Sequence, residues 1–503
     1  MTTDREPGPA AEDTLEGVNT DSDRKRHKTI NDLPPDVLLV IFRELLLGVR
    51  RRRFWSYPLG RVGWNDRYLE PWPSYDSSMR KHPFPESVAS VCRYWREVMS
   101  TVSFFWTRLV IWVGKEPTPL STIRDYLAWS QDGLLDIYIL SKTNSPDERD
   151  PTEKTQVKAV METLAPHMNR WKNLYVELLQ SSSLPLPRID IVGSAIKLVK
   201  LELHYAIDDS VASTEAASPV IGEFHTPVLD ELSMGGLQFR ESYVKPFPQY
   251  EMPPELCYAS IVGYDDSHHP PFPMIDLLAC LTSCKKLHRV ELANLRLDCS
   301  YTGPPIVPTV NDWDADVDFV DMPGDIIAEY NRLLDYPYVD SVSYTRCTME
   351  TPAPLGESYN LTMDGIASPT ALLSFLVAVR GHYSCSVASF TNCDGLRSDI
   401  LLMLAMPPPH ANVWLCPHLR SLSIEGCTHF SSSDLRVFLQ WRRSVHAASG
   451  FVEDGHPAFM VASITELDVE DCCELAPEDK QWFDENLESV RWDDWTGGTG
   501  YTF

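Results

Sequence analysis

One short pattern of apolar residues recurs through most of the chain and constrains its fold more than any other feature. An apolar residue is followed by two positions, a second apolar residue, one position and a third apolar residue. Five strong copies and two weaker ones begin at Leu198, Leu229, Leu287, Leu419, Ile464, Trp171 and Val387. The middle apolar residues Leu201 and Leu232 are 31 residues apart, and the 58 residues from Leu232 to Val290 predict one degenerate copy between them.

Each copy is typical of a short β-strand that turns its apolar side chains into a core. One unit of this length cannot close such a core, so the units must stack and share it. Helices are predicted between the strands, at residues 274–283, 369–379, 399–406 and 433–441. The pattern resembles the irregular leucine-rich-repeat proteins, which implies an α/β solenoid of strand-plus-helix units. An ordinary α/β domain with two or three chance matches is the alternative.

Two segments interrupt this rhythm and are predicted to be loops outside the stack. Residues 258–273 contain paired histidines and several prolines, and residues 301–321 contain five closely spaced aspartates. A calcium loop is not favoured in the second segment, because Val317 stands where such a loop needs glycine and Pro323 where it needs a bidentate glutamate. We therefore predict a solvated acidic loop and no metal site.

The polar residues within the repeated pattern predict where a partner binds. The residue between the last two apolar positions should face the open, concave surface, because side chains alternate along a strand. Three of the five residues at this position are acidic, which makes Glu202, Glu291 and Asp468 candidate substrate-binding residues for a basic partner. The alternative is that a strongly acidic chain places some carboxylates on any solvated face.

Residues 31–47 are predicted to form a capped amphipathic helix. Asn31 or Asp32 can cap it, and a proline at position 34 or 35 suits the first turn. Large apolar residues then recur at three- and four-residue spacings and form one stripe that needs a burial partner. Downstream, residues 91–99 have apolar residues at helical spacing and Trp106 follows them. We predict that these residues cover the apolar stripe.

These N-terminal residues resemble an F-box. The resemblance rests on Leu33-Pro34, Asp36-Val37-Leu38 and Ile41-Phe42, followed by Val91-Cys92, Trp95 and Trp106. It implies a small helical module that docks onto the Skp-family adaptor of a cullin-RING ubiquitin ligase. The implied adaptor-binding candidates, some of which must instead pack the module's own core, are Leu33, Pro34, Val37, Leu38, Ile41 and Phe42.

A long insert, residues 50–85, separates the two halves of this module. It begins with four arginines and interleaves tryptophans with prolines, which predicts a loop. Basic residues mixed with aromatics can bind RNA or phosphate. Docking of the aromatic residues on the body of the protein is the favoured interpretation, because the segment also carries acidic residues.

Composition limits the partners and the compartment. A formal net charge of -27, from 44 basic and 71 acidic residues, argues against nucleic acid and anionic membranes. The sequence has no secretory-type N-terminal segment and no apolar run long enough to span a membrane, so we expect a chain without a membrane partner. The 12 cysteines include no C-x-x-C pair, which favours reduced thiols and a cytoplasmic or nuclear location.

The sequence carries none of the common catalytic motifs, such as a nucleophile elbow, a phosphate-binding P-loop or a zinc-binding H-E-x-x-H. We therefore predict no enzyme activity, no catalytic residue and no cofactor.

The predicted function is that of the substrate-recognition subunit of an SCF-type ubiquitin ligase, with an adaptor, a cullin and an unknown protein substrate as partners. A repeat scaffold without ubiquitin transfer is the alternative. The predicted organisation is a disordered tail at 1–29, an F-box at 30–112, a connecting helix and strand region at 113–170, a repeat domain at 171–491 and a cap or tail at 492–503.

Overall fold

The computed structural model describes residues 30–51, 84–142, 151–209, 221–265, 271–306, 314–378, 385–406, 414–448 and 461–500. The chain divides into two compact units, residues 1–102 and residues 103–503. The predicted tail at 1–29, most of the insert at 50–85 and part of the predicted acidic loop at 301–321 lie outside the described residues.

The first unit is helical in its described part. After a 3-10 turn at Ile30–Asp32 come α1 (Pro35–Arg51), α2 (Glu86–Ala89) and α3 (Arg93–Ser100). The predicted N-terminal helix is confirmed, and it begins at a proline, which suits a position whose N–H would have no partner within the helix.

The second unit alternates strands with helices. Its strands are β1 (Arg108–Gly114), β2 (Leu135–Lys142), β3 (Trp171–Gln180), β4 (Gly193–Ser194), β5 (Lys200–Ile207), β6 (Phe224–His225), β7 (Glu231–Gly235), β8 (Tyr258–Asp265), β9 (Arg289–Arg296), β10 (Asp316–Val320), β11 (Tyr338–Thr345), β12 (Glu357–Asp364), β13 (Val387–Thr391), β14 (Ser421–Glu425), β15 (Glu466–Glu470), β16 (Ser489–Trp492) and β17 (Trp495–Gly497). Its α-helices are α4 (Leu120–Trp129), α5 (Glu153–Leu164), α6 (Gly236–Phe239), α7 (Met274–Leu281), α8 (Gly324–Leu333), α9 (Pro369–Ala378), α10 (Ser398–Ala405), α11 (Ser432–Ala448) and α12 (Pro477–Asn486).

One long sheet organises this unit. Within the described residues it contains 15 strands whose order in space follows their order in the chain, and β4 and β6 form a separate pair. Every neighbouring pair from β1 to β16 is parallel, whereas β17 turns back antiparallel to β16. The predicted mixed α/β class is confirmed, since parallel neighbours require a crossover at each step.

The apolar residues of the repeated pattern form the core on one side of this sheet. In β5, Leu201 and Leu203 are fully buried while the residues between and beside them are partly exposed. The middle apolar position is in register across neighbouring strands, as in Leu201, Leu232, Ala259 and Val290. The other side of the sheet therefore presents the intervening polar residues in continuous rows.

All seven segments that the pattern predicted to be strands are strands, namely β3, β5, β7, β9, β13, β14 and β15. In each of the five strong copies the strand begins two residues after the first apolar residue, as β5 does after Leu198. The first apolar residue therefore belongs to the entry turn, where Leu198 is fully buried. The four helices predicted between strands are also confirmed, as α7, α9, α10 and α11.

The two predicted loops are wrong in part. Residues 258–265 form β8, which is the degenerate copy that the 58-residue gap predicted. Its middle apolar position is Ala259, which pairs with Leu232 on one side and Val290 on the other. Alanine is too small to reveal the pattern in the sequence, although it is fully buried in the sheet.

Residues 316–320 form β10, so the aspartates there follow a strand period and do not belong to a loop. Val317 and Phe319 are buried, while Asp316 and Asp318 project on the polar side of the sheet. Aspartates at every second position therefore fit the period of a half-buried strand. The loop was predicted because the segment is rich in acidic residues.

A tight turn recurs where the strands leave the sheet. Two residues after the third apolar position of the pattern, eight successive repeats have a positive φ, at Gly263, Asn294, Asp321, Arg346, Gly365, Asn392, Gly426 and Asp471. Glycine, asparagine and aspartate tolerate this left-handed conformation best. The N–H of the turn residue donates to the next strand, as Asn392 does to Glu425 O at 2.8 Å. Each turn thereby joins one repeat to the next.

Sulfur atoms follow these turns and extend the ladder. Cys393, Cys427 and Cys472 each come directly after a left-handed residue. The N–H of Cys393 donates to Cys427 Sγ at 3.2 Å, and the N–H of Cys427 donates to Cys472 Sγ at 3.3 Å. Each thiol also donates to backbone carbonyls, as Cys427 does to Phe390 O and Glu425 O. These cysteines, which looked scattered in the sequence, occupy one repeated position.

Candidate interaction surfaces

Helix α1 has two apolar faces with different environments. Leu38, Phe42 and Leu46 are buried within the first unit, with at most 1% of each side chain exposed. Their spacing of four residues places them on one face of the helix. The sequence did not distinguish the α1 residues that pack the core from those available to a partner. The burial of these three side chains assigns them to the core.

The buried face of α1 packs against α3. The rings of Phe42 and Trp95 lie 5.1 Å apart, centroid to centroid. Cys92 starts α3 by accepting the N–H of Trp95 at its sulfur, 3.4 Å away. The Tyr94 hydroxyl donates to Leu33 O at 3.2 Å. The Cys-x-x-Trp spacing thus has a local explanation, because the cysteine caps the helix that carries the core tryptophan.

Trp106, the last residue of the resemblance, belongs to the second unit. It is buried in a 3-10 turn at Ser103–Trp106, 4.4 Å from the ring of Trp129 and 4.9 Å from that of Tyr126. These contacts place its ring beside α4.

A second apolar face of the first unit is exposed. Val37, Val40 and Leu45 are 43%, 64% and 46% exposed, and Val91 is 56% exposed. Of the six adaptor-binding candidates, Pro34 and Val37 are exposed, Leu33 and Ile41 are half-buried, and Leu38 and Phe42 are inaccessible. Val40 and Leu45 were not among the candidates, although helical spacing places Val40 beside Val37 and Leu45 beside Ile41.

The polar side of the long sheet is the second candidate surface. A continuous register runs from Tyr138 and Tyr175 through Glu202, Ser233, Ser260 and Glu291 to Asp318, then through hydroxyl residues to Asp468 and Arg491. The structure thus places Glu202, Glu291 and Asp468 in one row on one face, as their sequence position predicts.

Each of these three carboxylates already has an intramolecular partner. Glu202 lies 3.2 Å from the ammonium of Lys200, which also contacts Glu231 at 2.8 Å. Burial opposes the charge on Lys200, but the two carboxylates outweigh it and raise its pKa. The negative charge of Glu202 is therefore partly neutralised by Lys200 on the same strand.

The other two acids are engaged in the same way. Glu291 accepts from the hydroxyl of Tyr258 at 2.8 Å, and this contact adds to burial in raising the pKa of Tyr258. Asp468 accepts from two guanidinium nitrogens of Arg491, from Nε at Oδ1 at 2.7 Å and from Nη2 at Oδ2 at 2.5 Å. A basic partner would have to compete with these contacts.

Aromatic residues cover the N-terminal part of this face, and the sequence pattern did not reveal them. The ring of Tyr175 lies 5.9 Å from that of Tyr138 on β2 and 5.4 Å from that of His204 on β5. The guanidinium carbon of Arg108 on β1 lies 5.0 Å from the centroid of Tyr138. The signal for this row is alternation within L-D-I-Y-I-L and L-Y-V-E-L, where each tyrosine stands between buried residues.

Within the described ranges, no group of three or more histidine, cysteine, aspartate or glutamate side chains is placed to hold a metal ion. No helix in the described part of the chain is both long and apolar enough to cross a membrane. A scan of the sequence against protein-family models finds no match, and a search of the curated proteins finds no significant match.

Proposed function

We propose that this protein is the substrate-recognition subunit of an SCF-type cullin-RING ubiquitin ligase, acting in the cytoplasm or nucleus. In this proposal the first unit is an F-box that binds a Skp-family adaptor, and the adaptor connects it to a cullin. The second unit is an irregular leucine-rich-repeat solenoid that binds a protein substrate. The chain performs no chemistry itself.

The observation that carries the proposal is the exposed apolar face of α1. A helix in a small unit that buries Leu38 and Phe42 but leaves Val37, Val40 and Leu45 open has an unsatisfied apolar stripe. Contiguous exposed apolar residues often mark a protein interface. Among the adaptor-binding candidates, the exposed or half-buried Leu33, Pro34, Val37 and Ile41 remain the proposed contacts.

The exposed side of the long sheet supports the proposal of substrate binding in the second unit. Among the described strands, the row from Tyr138 to Arg491 consists of polar and aromatic side chains, which gives a partner a broad surface on rigid elements. Glu202, Glu291 and Asp468 stay proposed contacts for a basic substrate. Reversing all three charges without any change in substrate binding would remove that part of the proposal.

The proposed contribution to catalysis is proximity. A substrate held on the sheet is brought near the ubiquitin thioester of an E2 enzyme, and the effective concentration of its lysines rises. No side chain of this chain needs to be a nucleophile, an acid or a base. Burial raises the pKa of Cys284 to about 12, and that of Cys347 likewise, so neither thiol is activated at neutral pH.

The test is calorimetric titration of the full chain with a Skp-family adaptor. Val37→Glu should abolish or strongly weaken binding, because a carboxylate would enter an apolar interface. Val437→Glu is the matched control, since Val437 is also 43% exposed on a helix but lies in the second unit. Equal binding by both variants, or no binding by the folded parent, would refute the proposal and favour the repeat scaffold without ubiquitin transfer.

A further inference from the structure

The aromatic row at the N-terminal part of the sheet has the composition of a cation-binding surface. The row consists of Tyr138, Tyr175 and His204, on the adjacent strands β2, β3 and β5. The neighbours of both tyrosines along their own strands are buried, as Leu174 and Val176 are around Tyr175. The rings are thus fixed on the exposed side of a packed sheet, and binding would immobilise few rotatable bonds.

One end of this row already binds a cation. Arg108 is 2% exposed, and its guanidinium carbon lies 5.0 Å from the centroid of Tyr138. This distance is within the range of a cation–π interaction. The row therefore shows, within the protein itself, that its rings accept a guanidinium group.

The other end carries negative charge. The Tyr175 hydroxyl donates to Glu177 Oε2 at 2.9 Å. Burial and the nearby carboxylates of Glu177 and Glu202 raise the pKa of Tyr175, which keeps this donor protonated at neutral pH. Glu177 is exposed and, within the described residues, forms no ion pair, in contrast to Glu202 with Lys200. A carboxylate that accepts one hydroxyl still has lone pairs for a two-pronged donor.

We propose that this row binds an arginine side chain of the protein substrate, with the guanidinium on the ring of Tyr175 and paired with Glu177. Arginine is preferred over lysine, because its planar fork stacks on a ring and bonds a carboxylate at the same time. The role as a substrate site rests on the proposed function, but the binding itself does not. It adds a site for a basic partner at the start of the sheet to the proposed contacts Glu202, Glu291 and Asp468.

The test uses the full chain and a fluorescein-labelled Gly-Ser peptide that carries two arginines, read by fluorescence anisotropy at low ionic strength. The same peptide with citrulline, which keeps the shape and removes the charge, is the ligand control. We expect the citrulline peptide to bind at least about tenfold more weakly. Glu177→Gln and Tyr175→Ala should each weaken arginine binding about two- to fivefold, the range of an exposed cation–π or ion-pair contact.

Glu425→Gln is the matched protein control. Glu425 is an exposed carboxylate on the same side of the sheet, on β14, and its loss changes the net charge equally. It should leave peptide binding unchanged. Tyr175→Phe keeps the ring and should retain the affinity for the arginine peptide within about twofold. It tests the ring contact even if Tyr175→Ala disturbs folding.

Equal weakening by Glu177→Gln and Glu425→Gln would show diffuse attraction to an acidic protein and overturn the proposal. Equal binding of the arginine and citrulline peptides, or no binding of either, would also overturn it. The adaptor titration reports on the first unit alone, so a failure of this site is distinguishable from a failure of the proposed function.

Discussion

Phe42 gives the most direct prediction about how the first unit is held together. Its side chain is 0% exposed and packs 5.1 Å from the ring of Trp95. Phe42→Ala removes a buried ring and leaves a cavity, which costs about 3–5 kcal/mol. Val37→Ala truncates an exposed side chain on the same helix and should change stability by no more than about 0.5 kcal/mol.

The expected loss is large for a small unit. A free-energy change of about 1.4 kcal/mol shifts an equilibrium tenfold, so a cost of about 3–5 kcal/mol should raise the open population of the first unit by about 100- to 4,000-fold in Phe42→Ala. The second unit has its own core and should not respond. The two variants should therefore separate stability from adaptor binding, because Phe42 packs the core of the first unit and Val37 is a proposed adaptor contact.

Hydrogen–deuterium exchange of the full chain, read by mass spectrometry, measures this directly. Peptides from α1 and α3 should exchange about 100- to 4,000-fold faster in Phe42→Ala, and their exchange should be unchanged in Val37→Ala. Peptides from β14 serve as the internal control. Equal exchange in the two variants would refute the division of α1 into a buried face and an exposed face. Faster exchange in β14 would refute the independence of the second unit's core.

Two further predictions concern the second unit. Arg442 is 0% exposed and donates to four backbone carbonyls. Arg442→Ala should therefore destabilise the C-terminal repeats by about 2–5 kcal/mol, measured by urea denaturation. In the same assay, Arg443→Ala at its exposed neighbour should cost less than about 1 kcal/mol. Burial raises the pKa of Asp434, but hydrogen bonds from Ser398 and Ser431 outweigh burial and lower it. The stabilisation by this carboxylate is thus present above the ordinary aspartate pKa and lost as the pH falls through the lowered value. Asp434→Asn should lower the free energy of unfolding at pH 7 and leave it unchanged in strong acid. If the difference in unfolding free energy between the variant and the parent were the same at every pH, the charged carboxylate would not be the source of the stabilisation.

The sequence predicts the strands of the second unit best where large apolar residues mark the pattern. Leu201, Leu232 and Val290 indicate their strands in the sequence because they are large and regularly spaced. Ala259 escapes detection because burial of a small side chain leaves no hydrophobic signal, and β10 escapes because its aspartates suggest a loop. Strand pairing is also long-range, so the register that places Tyr138 beside Tyr175 cannot be derived from either strand alone.

The candidate surfaces show the same limit. Helical periodicity identifies the apolar residues of α1, but only packing decides that Phe42 is buried and Val37 is not. The acids Glu202, Glu291 and Asp468 could be placed on one face from alternation. Their partners could not, because Lys200 pairs with Glu231 on a neighbouring strand and Arg491 reaches Asp468 from a strand that the pattern did not predict.

Assembly with a cullin tests the central claim most directly. Sedimentation velocity of the full chain with a Skp-family adaptor and the adaptor-binding domain of a cullin should give one species that contains all three proteins. Val437→Glu should preserve this species and Val37→Glu should abolish it. If the folded parent sediments apart from the adaptor, or binds the adaptor but excludes the cullin, the chain is not the receptor of a ubiquitin ligase.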